Sequence, residues 1–156
     1  LPIRPSPNLP NNQAIYLYPS LCLLEPTSIS VGRGTEKQFQ IYGHPNFPKS
    51  NFQFKPKANF GSKNPKWKNQ ICYGVTLEKI EVPNKIELSW LIDAYNKIQR
   101  NEIFFKDSFE RIAGNDVLRE QIINKVSEVE IRKSWRVKLE KFKIIRKKYL
   151  LYTDFY

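Results

Sequence analysis

A chain of 156 residues that is 40 % hydrophobic and 13 % aromatic can bury one sizeable core and is too apolar for a disordered segment, so a single domain is the default. No window approaches the roughly 18 to 20 continuous apolar residues of a membrane span, and the opening LPIRPSPNLPNNQ lacks the apolar centre of a signal peptide. The net charge of +11 is shared, with 10 basic against 4 acidic residues before Asn84 and 16 against 11 from there on; the one dense basic block, 132–148, reads as the solvated face of an amphipathic helix, so nucleic acid is not an expected partner.

In chain order, residues 1–13 carry Pro2, Pro5, Pro7 and Pro10 and should be extended, because each proline fixes its own φ and pushes the preceding residue out of the α region. The chain starts at Leu1 and contains no Met, which reads as a piece of something longer with 1–13 as the connector from an upstream domain. Clusters of β-formers between turn residues predict strands at 21–24, 39–42, 52–55 and 71–80. The loops GHPNFPKSN and NFGSKNPKWKN lie between them.

All 11 prolines fall at or before Pro83, and the proline-free remainder has helical periodicity. Asn84 with Glu87 reads as a capping box opening a helix with the stripe Leu88, Leu91, Ile92, Tyr95 and Ile98. A short helix over 104–113 should stop at Gly114, and Asn115 should cap the next, with Val117, Leu118 and Ile122 facing inward. Ser127 with Glu130 is a second capping box, opening the longest helix, whose stripe Ile131, Trp135, Leu139, Phe142, Ile145 and Tyr149 is expected to be core. The fold class is therefore α+β: a small antiparallel or mixed sheet in the first half packed against a C-terminal set of about four helices. One domain covers 14–156, with a strand and loop part at 14–83 and a helical part at 84–152.

The stretch SLCLLEPTSISVGRGT, Ser20 to Thr35, holds the most pointed chemistry. Glu25 follows Leu23-Leu24, where a partly desolvated carboxylate needs a cation, and Arg33 is the nearest one that a rigid backbone could hold. Gly32 and Gly34 permit backbone conformations closed to other residues and a close approach to a ligand or a neighbouring strand. The planar arginine fork matches a carboxylate. Two readings stand: Glu25 and Arg33 pair and staple the loop, or they line a pocket that faces a polar, anionic ligand.

Other residues are weaker candidates. His44 has no Ser or Cys elbow to serve as general base for. Trp67 among Lys63, Lys66 and Lys68 offers either a stacking surface or a packed ring surrounded by solvated lysines. Cys22 and Cys72 lie far apart with no CxxC, so zinc is not expected, while a disulfide and two free thiols both remain open. No cofactor is implied.

Five ordered segments, PSPNLP (Pro5 to Pro10), YPSLCLLEPTSISVGRGT (Tyr18 to Thr35), FQIYGHP (Phe39 to Pro45), CYGV (Cys72 to Val75) and RKKYLLY (Arg146 to Tyr152), resemble the C-terminal part of the NamZ-type exo-β-N-acetylmuramidases, a glycoside hydrolase family long known as a domain of unknown function. The resemblance implies a bacterial cell-wall enzyme, periplasmic or secreted, that removes N-acetylmuramic acid from the non-reducing end of peptidoglycan fragments. It further implies an upstream Rossmann-like domain that carries the general acid/base and meets this one at a cleft, so that the present chain alone would be inactive. On that footing Glu25, Arg33, Gly32, Gly34 and Thr35, with Asn8 and Ser6 in the connector, are the expected substrate-binding residues, Glu25 also being a possible catalytic carboxylate. Pro26 stands where the family usually has glycine, and His44 where it has a small residue. A non-catalytic peptidoglycan- or carbohydrate-binding module is the alternative, and a basic nucleic-acid-binding domain a more distant one.

Overall fold

The computed structural model describes residues 2–82, 84–98 and 102–154. Helix α1 (Asn12–Leu21) is followed by one 3-10 turn, Cys22–Leu24. Strands β1 (Ile41–His44), β2 (Gln53–Phe54) and β3 (Cys72–Thr76) come next, then helices α2 (Ser89–Lys97), α3 (Phe109–Ala113), α4 (Val117–Ile123) and α5 (Glu128–Lys147). The sheet is antiparallel in the order β1-β3-β2, with Tyr42 opposite Val75 and Phe54 opposite Cys72. The α+β class and its four C-terminal helices are as expected.

Helix α1 stands where irregular chain and the start of a strand at 21–24 were predicted. Asn11 caps it by accepting from the Ala14 N–H at 2.9 Å. Ala14, Leu17 and Leu21 form its fully buried stripe, and burying each such side chain is worth about 1.5–3 kcal/mol for the larger ones. That gain offsets Pro19 inside the helix, whose missing N–H and ring would otherwise break it at a cost of about 3 kcal/mol.

Edges of the other helices also differ from the sequence reading. Helix α2 begins at Ser89 rather than after Asn84, because the Glu87 N–H is taken by the Ser20 hydroxyl at 2.8 Å and its carboxylate instead accepts from Ser89 N. Phe104 and Phe105 are extended rather than helical. Ser28 N donates to Phe104 O and Lys106 N to Pro26 O, which lets two consecutive rings enter the aromatic cluster with Tyr95 and Phe109. Helix α3 ends on Gly114 in the left-handed conformation, and Asn115 accepts from Leu118 N, both as expected. Val117 is exposed, whereas Leu118 and Ile122 are buried.

Ser127 caps α5 as expected, its hydroxyl accepting from Glu130 N at 3.3 Å, while the Glu130 carboxylate accepts from that same hydroxyl at 3.0 Å, a side-chain pairing in place of the backbone half of a capping box. Beyond this cap the stripe of α5 is not core. Ile131 is fully buried and Trp135 packs against the core, but Leu139, Phe142, Ile145 and Tyr149 are exposed. A helix of 20 residues is about 30 Å long, and the core ends after its first two turns. Local pairs hold the remainder, among them Lys143 with Glu140 and Arg146 with Asp154.

Candidate functional site

The segment from the 3-10 turn to β1 builds the site. Glu25 caps that turn, and its carboxylate accepts from Arg33 Nε at 2.6 Å. The guanidinium carbon lies 5.1 Å from the centre of the Phe39 ring, so one face of the arginine is fixed by an aromatic and one edge by a carboxylate. Both side chains are about one-third exposed, at 35 % and 28 %. Among the described residues the Nη groups of Arg33 have no protein partner.

Gly32 and Gly34 have φ of +78° and +80°, the left-handed region that glycine enters freely. A Cβ on Gly34 would stand 2.5 Å from the Lys57 carbonyl oxygen, and Gly34 O accepts from Lys57 N at 2.8 Å. The glycines thus let the arginine turn lie flat against a neighbouring segment. Thr35 closes the same turn, its hydroxyl donating to Gly32 O at 2.7 Å and accepting from Lys37 N at 3.0 Å.

Lys66 is the residue that the sequence did not reveal. Its ammonium donates to three carbonyls of the Glu25 loop, Glu25 O at 2.6 Å, Ile29 O at 2.9 Å and Leu24 O at 3.4 Å. Burial first, then the nearby Lys106, pulls it down to about 7; Glu25 opposes the shift and Arg33 adds to it. Lys66 is a positioning residue, since the loop it pins carries Glu25. The reading of Lys66 as a solvated lysine is therefore corrected.

Glu25, Ser30, Val31, Arg33 and Lys66 surround a notch of about 20 Å³. That is room for about one water molecule, so this surface alone does not enclose a sugar. What the arrangement can do is present a rigid, half-exposed guanidinium edge to an anion. Ser6 and Asn8 do not join it. Ser6 lines a separate cleft with Gln38, Asn59 and Phe60, and Asn8 donates to Gly61 O at 2.8 Å.

The remaining candidates are structural. His44 is fully buried; its Nδ1 accepts from Asn46 N at 3.1 Å, and Nε2 lies 3.4 Å from a Glu102 carboxylate oxygen. Burial lowers its pKa and Glu102 opposes that, which leaves a neutral ring. Trp67 packs edge-on against His44 at 4.4 Å and donates from Nε1 to Ser28 O at 2.7 Å, so the packed reading applies to it. Both cysteines are free thiols. Burial raises both, Cys72 to about 12, with Glu25 adding to the shift at Cys22, which makes them poor nucleophiles. Among the described residues no group of three or more His, Cys, Asp or Glu could hold a metal, and no helix is long and apolar enough to cross a membrane.

A family profile described as "Exo-beta-N-acetylmuramidase NamZ, C-terminal" matches residues 16–152. The protein named Peptidoglycan beta-N-acetylmuramidase NamZ, from Bacillus subtilis (strain 168), is 33 % identical over 168 aligned positions, covering 96 % of this chain and 40 % of that relative. The crystal structure of a DUF1343 family protein from Bacteroides fragilis NCTC 9343 is similar with a TM-score of 0.93 and 47 % identity, covering 99 % of this chain and 45 % of that one. The chain thus spans less than half the length of either relative.

Proposed function

The chain belongs to the family of NamZ C-terminal domains, and on that premise we propose that it completes the sugar-binding cleft of a peptidoglycan exo-β-N-acetylmuramidase, with Arg33 binding the lactyl carboxylate of N-acetylmuramic acid. The observation that carries this reading is the Arg33 guanidinium, held through Nε by Glu25 while its Nη edge has no protein partner among the described residues. A carboxylate is the natural mate for that edge, because two parallel N–H donors match its two oxygens. Glu25 orients the arginine, and engagement of its Oε1 by Arg33 favours this role over that of a glycosidase nucleophile. Gly32, Gly34 and Thr35 shape the turn that presents Arg33.

The small volume of the notch supports a site whose other wall comes from elsewhere. An upstream Rossmann-like domain, reached through the proline-rich segment 1–13, would supply that wall and the general acid/base. The relatives are more than twice as long as the aligned region, which leaves room for such a domain. On this reading the protein works in the periplasm or outside the cell.

The test is an assay of the protein carrying its upstream region on a chromogenic N-acetyl-β-muramide. Release of the chromophore by that protein, and none by residues 1–156 alone, is the expected pattern. No release by a folded longer protein would refute the enzymatic reading.

A further inference from the structure

The second cleft belongs to no part of the site above. It holds about 390 Å³ and is walled by Ser6, Gln38, Asn59 and Phe60, with Arg4 and Glu36 also lining it. That volume is within the roughly 300–1,000 Å³ of small-ligand sites.

Two features of its lining ask for a ligand. Gln38 is only 4 % exposed, yet among the described residues its Oε1 has no hydrogen-bond partner, while Nε2 reaches the Pro7 carbonyl at 3.4 Å. A buried amide oxygen without a donor costs about 1–3 kcal/mol; Oε1 is closed to solvent as it stands, so an O–H or N–H entering the cleft satisfies it once the Gln38 amide turns toward the cleft. Phe60 has the opposite character, the residue being 93 % exposed although it lines the cleft. An exposed ring beside a buried acceptor and further polar side chains fits a ligand with one apolar face and hydroxyl or amide groups at its edge. Arg4 and Glu36 contribute one charge of each sign, so the cleft has no net preference for an anion, in contrast to the Arg33 edge.

We propose that this cleft is a binding site for an uncharged saccharide, its ring stacked on Phe60 and a hydroxyl or acetamido N–H donated to Gln38 Oε1. The choice of an N-acetylhexosamine oligomer rests on the peptidoglycan reading; the existence of the site rests on the cleft alone. Because Arg33 does not line this cleft, a glycan strand held here by its neutral sugars does not depend on the carboxylate contact.

The experiment is an NMR titration of the 156-residue chain with N,N′,N″-triacetylchitotriose, repeated for Phe60→Ala, Gln38→Leu and Arg33→Ala. Binding with shifts confined to Gln38, Asn59 and Phe60 is expected. Phe60→Ala should weaken it roughly tenfold, given the worth of an aromatic contact. Gln38→Leu should weaken it roughly fivefold or more while leaving the melting temperature equal or higher, because it removes an unsatisfied buried acceptor. A lower melting temperature with unchanged binding would mean that Gln38 is structural, and would overturn the proposal. So would the absence of cleft shifts at about 10 mM saccharide, a concentration that detects even millimolar affinity. Arg33→Ala should leave this titration unchanged, so failure here and failure of muramide hydrolysis are separate results.

Discussion

Glu25 and Arg33 are fixed by residues distant in sequence as much as by each other. Lys66 lies 41 positions from Glu25, and its neighbours Lys63 and Lys68 are exposed, so nothing local separates it from a solvated basic loop. The Glu25–Arg33 pair is legible because both residues stand out within one short stretch; Lys66 is not, because its burial is set by tertiary contact. Replacing Lys66 with Met removes the donor from three part-buried carbonyls and should lower stability by about 1–3 kcal/mol. In chemical denaturation, a loss below the error of the method would show that the loop does not need its pin.

His44 provides a pH test at the same scale. Its pKa is lowered in the folded chain by burial, while in the unfolded chain it is about 6.5. As pH falls below that value the unfolded state takes up a proton that the folded state does not, so stability is lost on the acid side and retained above about pH 6.5. The expected outcome is that a His44→Phe variant loses part of the wild-type decline in melting temperature between about pH 6.5 and 5. Parallel profiles for the two proteins would contradict the buried neutral ring.

At the scale of elements, local signals succeed and periodicity alone fails. The Ser127 cap and the Gly114 stop depend on neighbours within four residues, and both form as the sequence indicates. The stripe of α5 repeats correctly through Tyr149, but a repeat states which face is apolar and not how far the core reaches. The helix over 12–21 shows the reverse error, since β-formers and Pro19 obscure the stripe Ala14, Leu17, Leu21 that burial selects. These differences predict unequal costs along α5. Ile131→Ala should cost about 2–5 kcal/mol as a core truncation. Leu139→Ala, half exposed at 50 %, should cost about 0.5 kcal/mol or less. Urea unfolding of the two variants decides, and equal losses would mean that the second half of α5 is packed.

For the whole molecule, a basic α+β domain with a three-stranded sheet offers a rigid cation rather than a closed pocket. The fold class and the Glu25–Arg33 stretch are legible from order and spacing, and the family from five segments spread over nearly the whole chain. The enclosed shape of the site is not, because the notch holds only about 20 Å³ and, on the function proposed above, its second wall would come from chain outside these residues. The measurement that bears most directly on this account compares wild type and Arg33→Ala of the longer protein on paired chromogenic N-acetylmuramide and N-acetylglucosaminide substrates. If Arg33 binds the lactyl carboxylate, kcat/KM on the muramide should fall roughly 10- to 100-fold, the worth of a charged hydrogen-bonded contact, with little change on the glucosaminide. Equal losses on both substrates would contradict it.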